Sequence, residues 1–230
     1  MAAAMKRPFV CINMAMTADG KITSALREEP GFGSRYDKKV MDRLRAEADA
    51  VVVGAGTLRA DDPPLGVRDP EMQAYRRSLG KPDGLVNVLV TASAAVDPSL
   101  KFFTRGPATG RIVASVEDAP ADRLARLSQV AEVWTLGRDA VDLEQLSARL
   151  AERGVDRLLV EGGGELNWGF VKNDLVDEIY VTIAPAILGG REAPTLCEGE
   201  GFSMAERKRL RLVASEVVDG EIFCRYSTVR

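Results

Sequence analysis

At 230 residues, 46% of them apolar and 28% charged, the chain has the size and composition of a globular protein with one full domain or two small ones. A net charge of −3 without a basic or acidic tail gives no sign of a nucleic-acid or membrane-surface footprint, and no apolar run is long enough to span a bilayer. Histidine is absent, which excludes Ser-His-Asp and Cys-His catalysis and the usual zinc sites, leaving proton transfer to carboxylates, lysine, tyrosine or water. Chemistry carried by a cofactor suits such a chain, and no metal site is expected.

Residues 1–8 lack the apolar core of a signal peptide and are expected to be a tail before a single domain over 9–230, in the cytoplasm. Cys11, Cys197 and Cys224 are odd in number and far apart, so reduced thiols are expected. Phe9 to Met16 is a predicted strand, and Asp19-Gly20 after it is a turn signal, with Asp19 by itself a turn former. Arg27 to Ser34 reads as a loop; Ser34 is placed to cap a helix, with Asp37 three residues on. Val40, Met41, Leu44 and Ala48 follow at helical spacing. Arg45 on that helix reads, by its charge alone, as part of a solvated face.

Ala50 to Val53 is β-branched and apolar enough for a buried strand. Gly54-Ala55-Gly56-Thr57 turns it into a short helix, where Thr57 would cap the helix or bond a ligand. Asp61 and Asp62 stand where that helix must stop before Pro63 and read as a solvated turn, not a metal pair. Residues 66–84 read as a long polar loop, functional or mobile. Strands are predicted at Val86 to Val90, closed by Thr91-Ala92-Ser93, at Arg111 to Ser115 and at Val133 to Leu136. Helices are predicted at Ala121 to Leu127 and Leu143 to Leu150.

Leu158, Leu159 and Val160 then form a run apolar on both faces, as in a covered sheet. Gly162, Gly163 and Gly164 let the backbone turn with no Cβ in the way, and a helix is predicted from Glu165 to Lys172. Strand, glycine turn and helix N-terminus make an anion site, and the pyrophosphate of a dinucleotide is the candidate ligand. The spacing is not G-x-G-x-x-G, since the next glycine is Gly169 inside the helix, so a standard Rossmann domain is disfavoured. Asp219-Gly220 between Arg209–Val218 and Glu221–Val229 signals a hairpin. Alternating strands and helices closed by a hairpin predict an α/β fold with a mixed, mostly parallel sheet.

Four stretches now stand in one order: MTADGKI, LRAEADAVVVGAGTLRADDPPLGVR, VEGGGELNWGFV and LVDEIYVTIAPAILGG. Together they resemble the pyrimidine reductase domain of riboflavin biosynthesis, a branch of the dihydrofolate-reductase-like fold, over nearly the whole chain. The resemblance implies a three-layer αβα domain that uses NADPH to reduce the ribosyl group of an aminopyrimidine ribonucleotide 5′-phosphate to ribityl, and a homodimer. It implies cofactor contacts at Thr57, Asp61, Thr91, Ser93, Gly162, Gly163, Gly164, Glu165 and Leu166. Substrate contacts are implied at Asp19, Ser34, Arg45, Leu65, Arg68 and Glu161, with Lys21 and Glu161 catalytic. The segment from Glu28 to Gly33 falls on a variable part of the substrate side. Without histidine, H-x-E or P-C-x-x-C, these residues hold no zinc deaminase site. A same-fold reductase with another pterin or pyrimidine substrate, or a silent nucleotide-binding module, are the competing expectations.

Overall fold

Residues 6–28 and 31–229 are described in a computed structural model; Glu29 and Pro30, within the expected substrate-side loop, lie outside them. In chain order the elements are β1 (Phe9–Thr17), α1 (Arg35–Glu47), β2 (Ala50–Gly54), α2 (Ala55–Asp61), α3 (Pro70–Ser78), β3 (Leu85–Val90), α4 (Lys101–Thr104) and β4 (Ala108–Ser115). They continue with α5 (Ala121–Leu127), β5 (Glu132–Thr135), α6 (Leu143–Glu152), β6 (Arg157–Val160), α7 (Gly164–Lys172), β7 (Glu178–Ala184), β8 (Leu210–Val218) and β9 (Glu221–Thr228).

The strands form one nine-stranded sheet in the order β5-β4-β3-β2-β6-β1-β7-β9-β8. Strands from β5 to β7 run parallel, and β9 joins β7 antiparallel, with β8 paired antiparallel at the edge. Alternation along each parallel strand sends side chains to two cores. One face carries Val52, Val88, Ile112, Leu158 and Val160 against Leu146 and Leu150 of α6 and Leu166 and Phe170 of α7. The other carries Val51, Val53, Leu89, Val113 and Leu159 against residues of α1, α2, α4 and α5. This is the three-layer mixed sheet that the element order implied.

β6 is short. Val160 pairs with Ile12 and Val52, whereas β1 runs on to Thr17 against Ala184. The end of β6 is therefore recessed between its neighbours, and the residues after Val160 sit in a notch on the carboxyl edge of the sheet, where open α/β sheets hold ligands.

Several sequence expectations need correction. Residues 66–84 are not a continuous loop, because α3 occupies the middle. Asp69 caps it, its side chain accepting from Glu71 N at 2.8 Å and Met72 N at 3.3 Å, with Pro70 in the first turn where its missing N–H costs nothing. The helix is anchored by a polar group: Arg76, 1% exposed, donates to the carbonyls of Arg45, Ala46 and Ala48 at the end of α1 and to Pro82 and Gly84. An apolar-stripe search passes over a helix held in this way. Thr57 does not cap α2, whose N-cap is Gly54 with no side-chain bond. Asp62, expected in a solvated turn, accepts from Lys101 N at 3.0 Å and Phe102 N at 3.4 Å and so orients α4. Of the expected tail, residues 1–5 lie outside the described residues, while Arg7 makes a two-pronged bond to Asp177 at 2.7 and 2.8 Å.

Candidate active site

The notch is built on Glu161-Gly162-Gly163-Gly164. Gly162 has φ +79°, a conformation that disfavours side chains, and a Cβ there would run into Met14. At Gly164 a Cβ would meet Glu198 Cγ at 2.5 Å and the Thr195 carbonyl at 2.6 Å, so the loop 195–198 lies directly on the turn. A Cβ on Gly163 would stand 3.2 Å from Thr57 Oγ1, which brings the two glycine turns face to face. Gly54 N donates to Gly162 O at 2.7 Å and fixes that approach. Gly163 is the N-cap of α7 and supplies no side-chain bond, leaving the first N–H groups of a nine-residue helix without a cap. Such an end favours a phosphate group.

Glu161, immediately before the turn, is paired with Arg45. Nε and Nη2 of Arg45 donate to the two carboxylate oxygens at 2.6 and 2.7 Å, with the side chains 2% and 10% exposed. Nη1 donates to Pro64 O at 3.3 Å and Gly66 O at 3.0 Å. Four of the five N–H donors of Arg45 are thus committed. Burial opposes the guanidinium charge, but the Glu161 charge and hydrogen bonds, with Asp42 behind them, hold its pKa above the ordinary arginine value. The solvated-face reading of Arg45 is therefore wrong: the residue is interior and grips an acid 116 positions away.

Asp42, one turn earlier on α1 and 5% exposed, receives Arg68 N at 3.3 Å and Asp69 N at 3.1 Å. Its carboxylate also lies 3.8 Å from Arg68 Nε, whose side chain remains 48% exposed. Arg68 is held at its base with its fork largely free, the state in which an arginine can meet a phosphate. Leu65 is buried in the core, and its carbonyl accepts from Asn87 Nδ2 at 3.2 Å.

Lys21 pairs with Thr195 in an isolated bridge, and its Nζ donates to Ala193 O at 3.0 Å. Glu198 N donates in turn to Gly164 O at 3.1 Å. The 193–198 loop therefore ties the turn after β1 to the glycine turn, a link that sequence reasoning missed. Hydrogen bonds from Thr195, against burial, keep the Glu198 carboxyl below the usual range, with the Lys21 charge contributing. Asp19 is occupied: Oδ1 accepts from Thr17 Oγ1 at 2.6 Å and Leu188 N at 3.2 Å, and Oδ2 from Gly189 N at 2.7 Å. Ser34 caps α1 by accepting from Asp37 N at 3.0 Å, and its own N–H donates to Glu221 at 3.2 Å.

Thr91 directly follows β3, 4% exposed, with an Oγ1 that has no protein partner. Ser93 is exposed, and its Oγ accepts from Ala95 N at 3.3 Å. Asp61 closes α2; Glu165 lies exposed in the first turn of α7, and Leu166 is buried beneath it. Among the described residues no cluster of three or more acidic or cysteine side chains could hold a metal ion.

A mixed nine-stranded sheet between two helical layers, with a glycine turn feeding an uncapped helix beside a paired acid, defines a protein of the dihydrofolate-reductase-like class. Within that class the chain belongs to the RibD C-terminal domain family, which it matches over residues 8–224. It is 38% identical over 196 residues to the 2,5-diamino-6-ribosylamino-4(3H)-pyrimidinone 5′-phosphate reductase of Archaeoglobus fulgidus, covering 85% of this chain and 89% of that one. The protein of the same name from Methanothermobacter thermautotrophicus is 38% identical over 222 residues, 96% of this chain and 98% of that one. Among solved structures, a pyrimidine reductase-like protein from Corynebacterium diphtheriae superposes with a TM-score of 0.84 at 25% identity, covering 97% of this chain and 92% of the other.

Proposed function

We propose that the chain is an NADPH-dependent reductase of riboflavin biosynthesis that converts the ribosyl group of a diaminopyrimidinone ribonucleotide 5′-phosphate to ribityl. Relatives that match at 38% identity over most of both chains carry the name of that reductase. The observation that carries the reading is contiguity: the paired acid Glu161 and the cradle Gly162–Gly164 are consecutive residues, so an anion site and a buried carboxylate share one strand end. The donor set fits a dinucleotide pyrophosphate, because the cradle has no side chain facing Thr57 and α7 offers uncapped N–H groups. When bound, a reduced nicotinamide supplies the hydride.

The remaining work falls to side chains. Arg68 receives the substrate phosphate through its largely free fork. Arg45 holds Glu161 in one orientation and pins the 64–66 backbone that leads to Arg68. Glu161 accepts hydrogen bonds from the substrate. Lys21, or a water that it orients, would give the proton to the imine nitrogen at C1′ of the opened ribose, the carbon to which a bound reduced nicotinamide would supply its hydride. Reduction with NADPH and the diaminopyrimidinone ribonucleotide phosphate, followed as loss of reduced-nicotinamide absorbance, is the direct test. NADPH binding without turnover would reject the substrate. In Lys21→Ala an unchanged kcat would remove Lys21 from the proton path.

The homodimer belongs to the same proposal. Every residue of β8 from Leu210 to Val217 is exposed, and apolar Leu212 and Val217 stand 53% and 71% open on an unpaired edge. An exposed apolar edge strand is an aggregation hazard unless something covers it. A second copy is the covering partner.

A further inference from the structure

Residues 193–198 form a strap between the two sides of the notch. On the β1 side, Ile22 N donates to Pro194 O at 2.9 Å, Thr195 bridges Lys21, and Lys21 Nζ donates to Ala193 O at 3.0 Å. On the α7 side, Glu198 N donates to Gly164 O at 3.1 Å, and Gly199 lies so close to Trp168 that a Cβ would overlap the indole. Within the strap, Thr195 Oγ1 lies 2.7 Å from Glu198 Oε1.

One buried side chain holds the middle. Asn167, one turn past the N-cap of α7 and 0% exposed, donates from Nδ2 to Leu196 O at 2.7 Å. A Cβ on Gly162 would stand 3.8 Å from the same Nδ2, so this amide lies between the glycine turn and the strap. Its Oδ1 is buried with no partner among the described residues. A half-satisfied amide is a costly way to fill space, and an apolar side chain of similar volume would fill it better. What the amide supplies is a fixed point for a loop with no helix or strand of its own.

Resting on the reductase reading above, we propose that Asn167 is a positioning residue for the reduction: by holding Leu196 it sets Ala193 O, and through it the Lys21 ammonium, relative to the cradle. A proton donor works only within hydrogen-bond reach, and a displacement of about 1 Å can cost about 100-fold in rate. Lysine has a flexible four-carbon stem, so its aim depends on the acceptor that holds its head. The plain competing account is that Asn167 only closes a loop, in which case its loss lowers stability and leaves the chemistry alone.

Asn167→Leu keeps the volume and removes the unpartnered oxygen together with the bond, so it is expected to fold, and thermal unfolding checks this. Asn167→Ser, too short to reach Leu196 O, is the second variant. Hydrogen–deuterium exchange over 193–198 reads the strap without substrate, and kcat, substrate KM and NADPH affinity are compared in wild type, Asn167→Leu, Lys21→Ala and the double variant. The proposal expects faster exchange across the strap and a kcat lowered about tenfold or more, with KM and NADPH affinity within about twofold. Adding Asn167→Leu to Lys21→Ala should then change kcat by less than about twofold, because both act through one group. Unchanged exchange, an unchanged kcat, an equal loss in both backgrounds, or NADPH affinity falling in step with kcat overturns it. A wild-type kcat in Lys21→Ala, or a wild type without turnover, defeats the underlying reading and the proposal with it. Both results are seen without any Asn167 variant, which separates them from a failure of the positioning itself.

Discussion

Replacing Arg45 with methionine probes the pair on which the site is built. The guanidinium is 2% exposed and bonds both oxygens of Glu161 at 2.6 and 2.7 Å, so the variant strands a carboxylate that is only 10% exposed. Breaking a buried pair by removing one partner costs about 3–5 kcal/mol. Glu161 keeps some contact with the cleft, which argues for the lower end. The carbonyls of Pro64 and Gly66 lose a donor as well, adding roughly 1 kcal/mol. The expected loss is about 4 kcal/mol, measured by urea unfolding, and a fall in Tm of roughly 8–16 °C for a domain of this size. In a double-mutant cycle with Glu161→Gln, the two losses should be less than additive by about 2 kcal/mol or more. A cost below about 1 kcal/mol with no coupling would refute the view that Arg45 holds Glu161.

Other outcomes follow from the same geometry. The Asp19 carboxyl, held by the Thr17 hydroxyl first and then by Gly189 N–H, is lowered to about 2. A depressed folded-state value means that its tether to residues 188–189 is present above the unfolded value of 3.8 and lost as pH falls through about 2. An NMR titration of Asp19 near 3.8 would contradict that. Burial pushes the Cys11 thiol up to about 12 and Cys197 to about 11, so both should resist maleimide labelling at pH 8 in the native protein and react after unfolding. Rapid native labelling of Cys11 would show that β1 is not enclosed. Val217→Asp, placing charge on the open edge, is expected to convert a dimer to monomer in sedimentation with little loss of monomer stability. A wild type that sediments as a monomer would remove the second copy from the account.

What could be read in the sequence was the local part. Apolar runs such as Ala50–Val53 and Leu158–Val160 mark buried strands because both faces must be covered, and glycines mark turns because only they tolerate φ values such as +79° at Gly162. The strand-to-glycine-to-helix units at Gly54 and Gly162 were therefore visible. Their apposition across Thr57 and Gly163 was not, since it depends on β6 inserting between β2 and β1. The Arg45–Glu161 pair also escaped, because its partners are distant in the chain and Arg45 has the look of a surface residue. One signal was available: Asp42 and Arg45 lie three apart, flanking Leu44 on the buried side of α1, and a charge placed there demands a partner. For α3, the interior arginine Arg76 replaced the apolar stripe that would have revealed it.

The most direct measurement uses NADPH deuterated at nicotinamide C4 with the diaminopyrimidinone ribonucleotide phosphate, the product being analysed by mass spectrometry and NMR. The account expects one deuterium at C1′ of a ribityl product, with transfer sharply reduced in Glu161→Gln. Deuterium retained by the nucleotide, or a ribosyl group recovered intact, would contradict it.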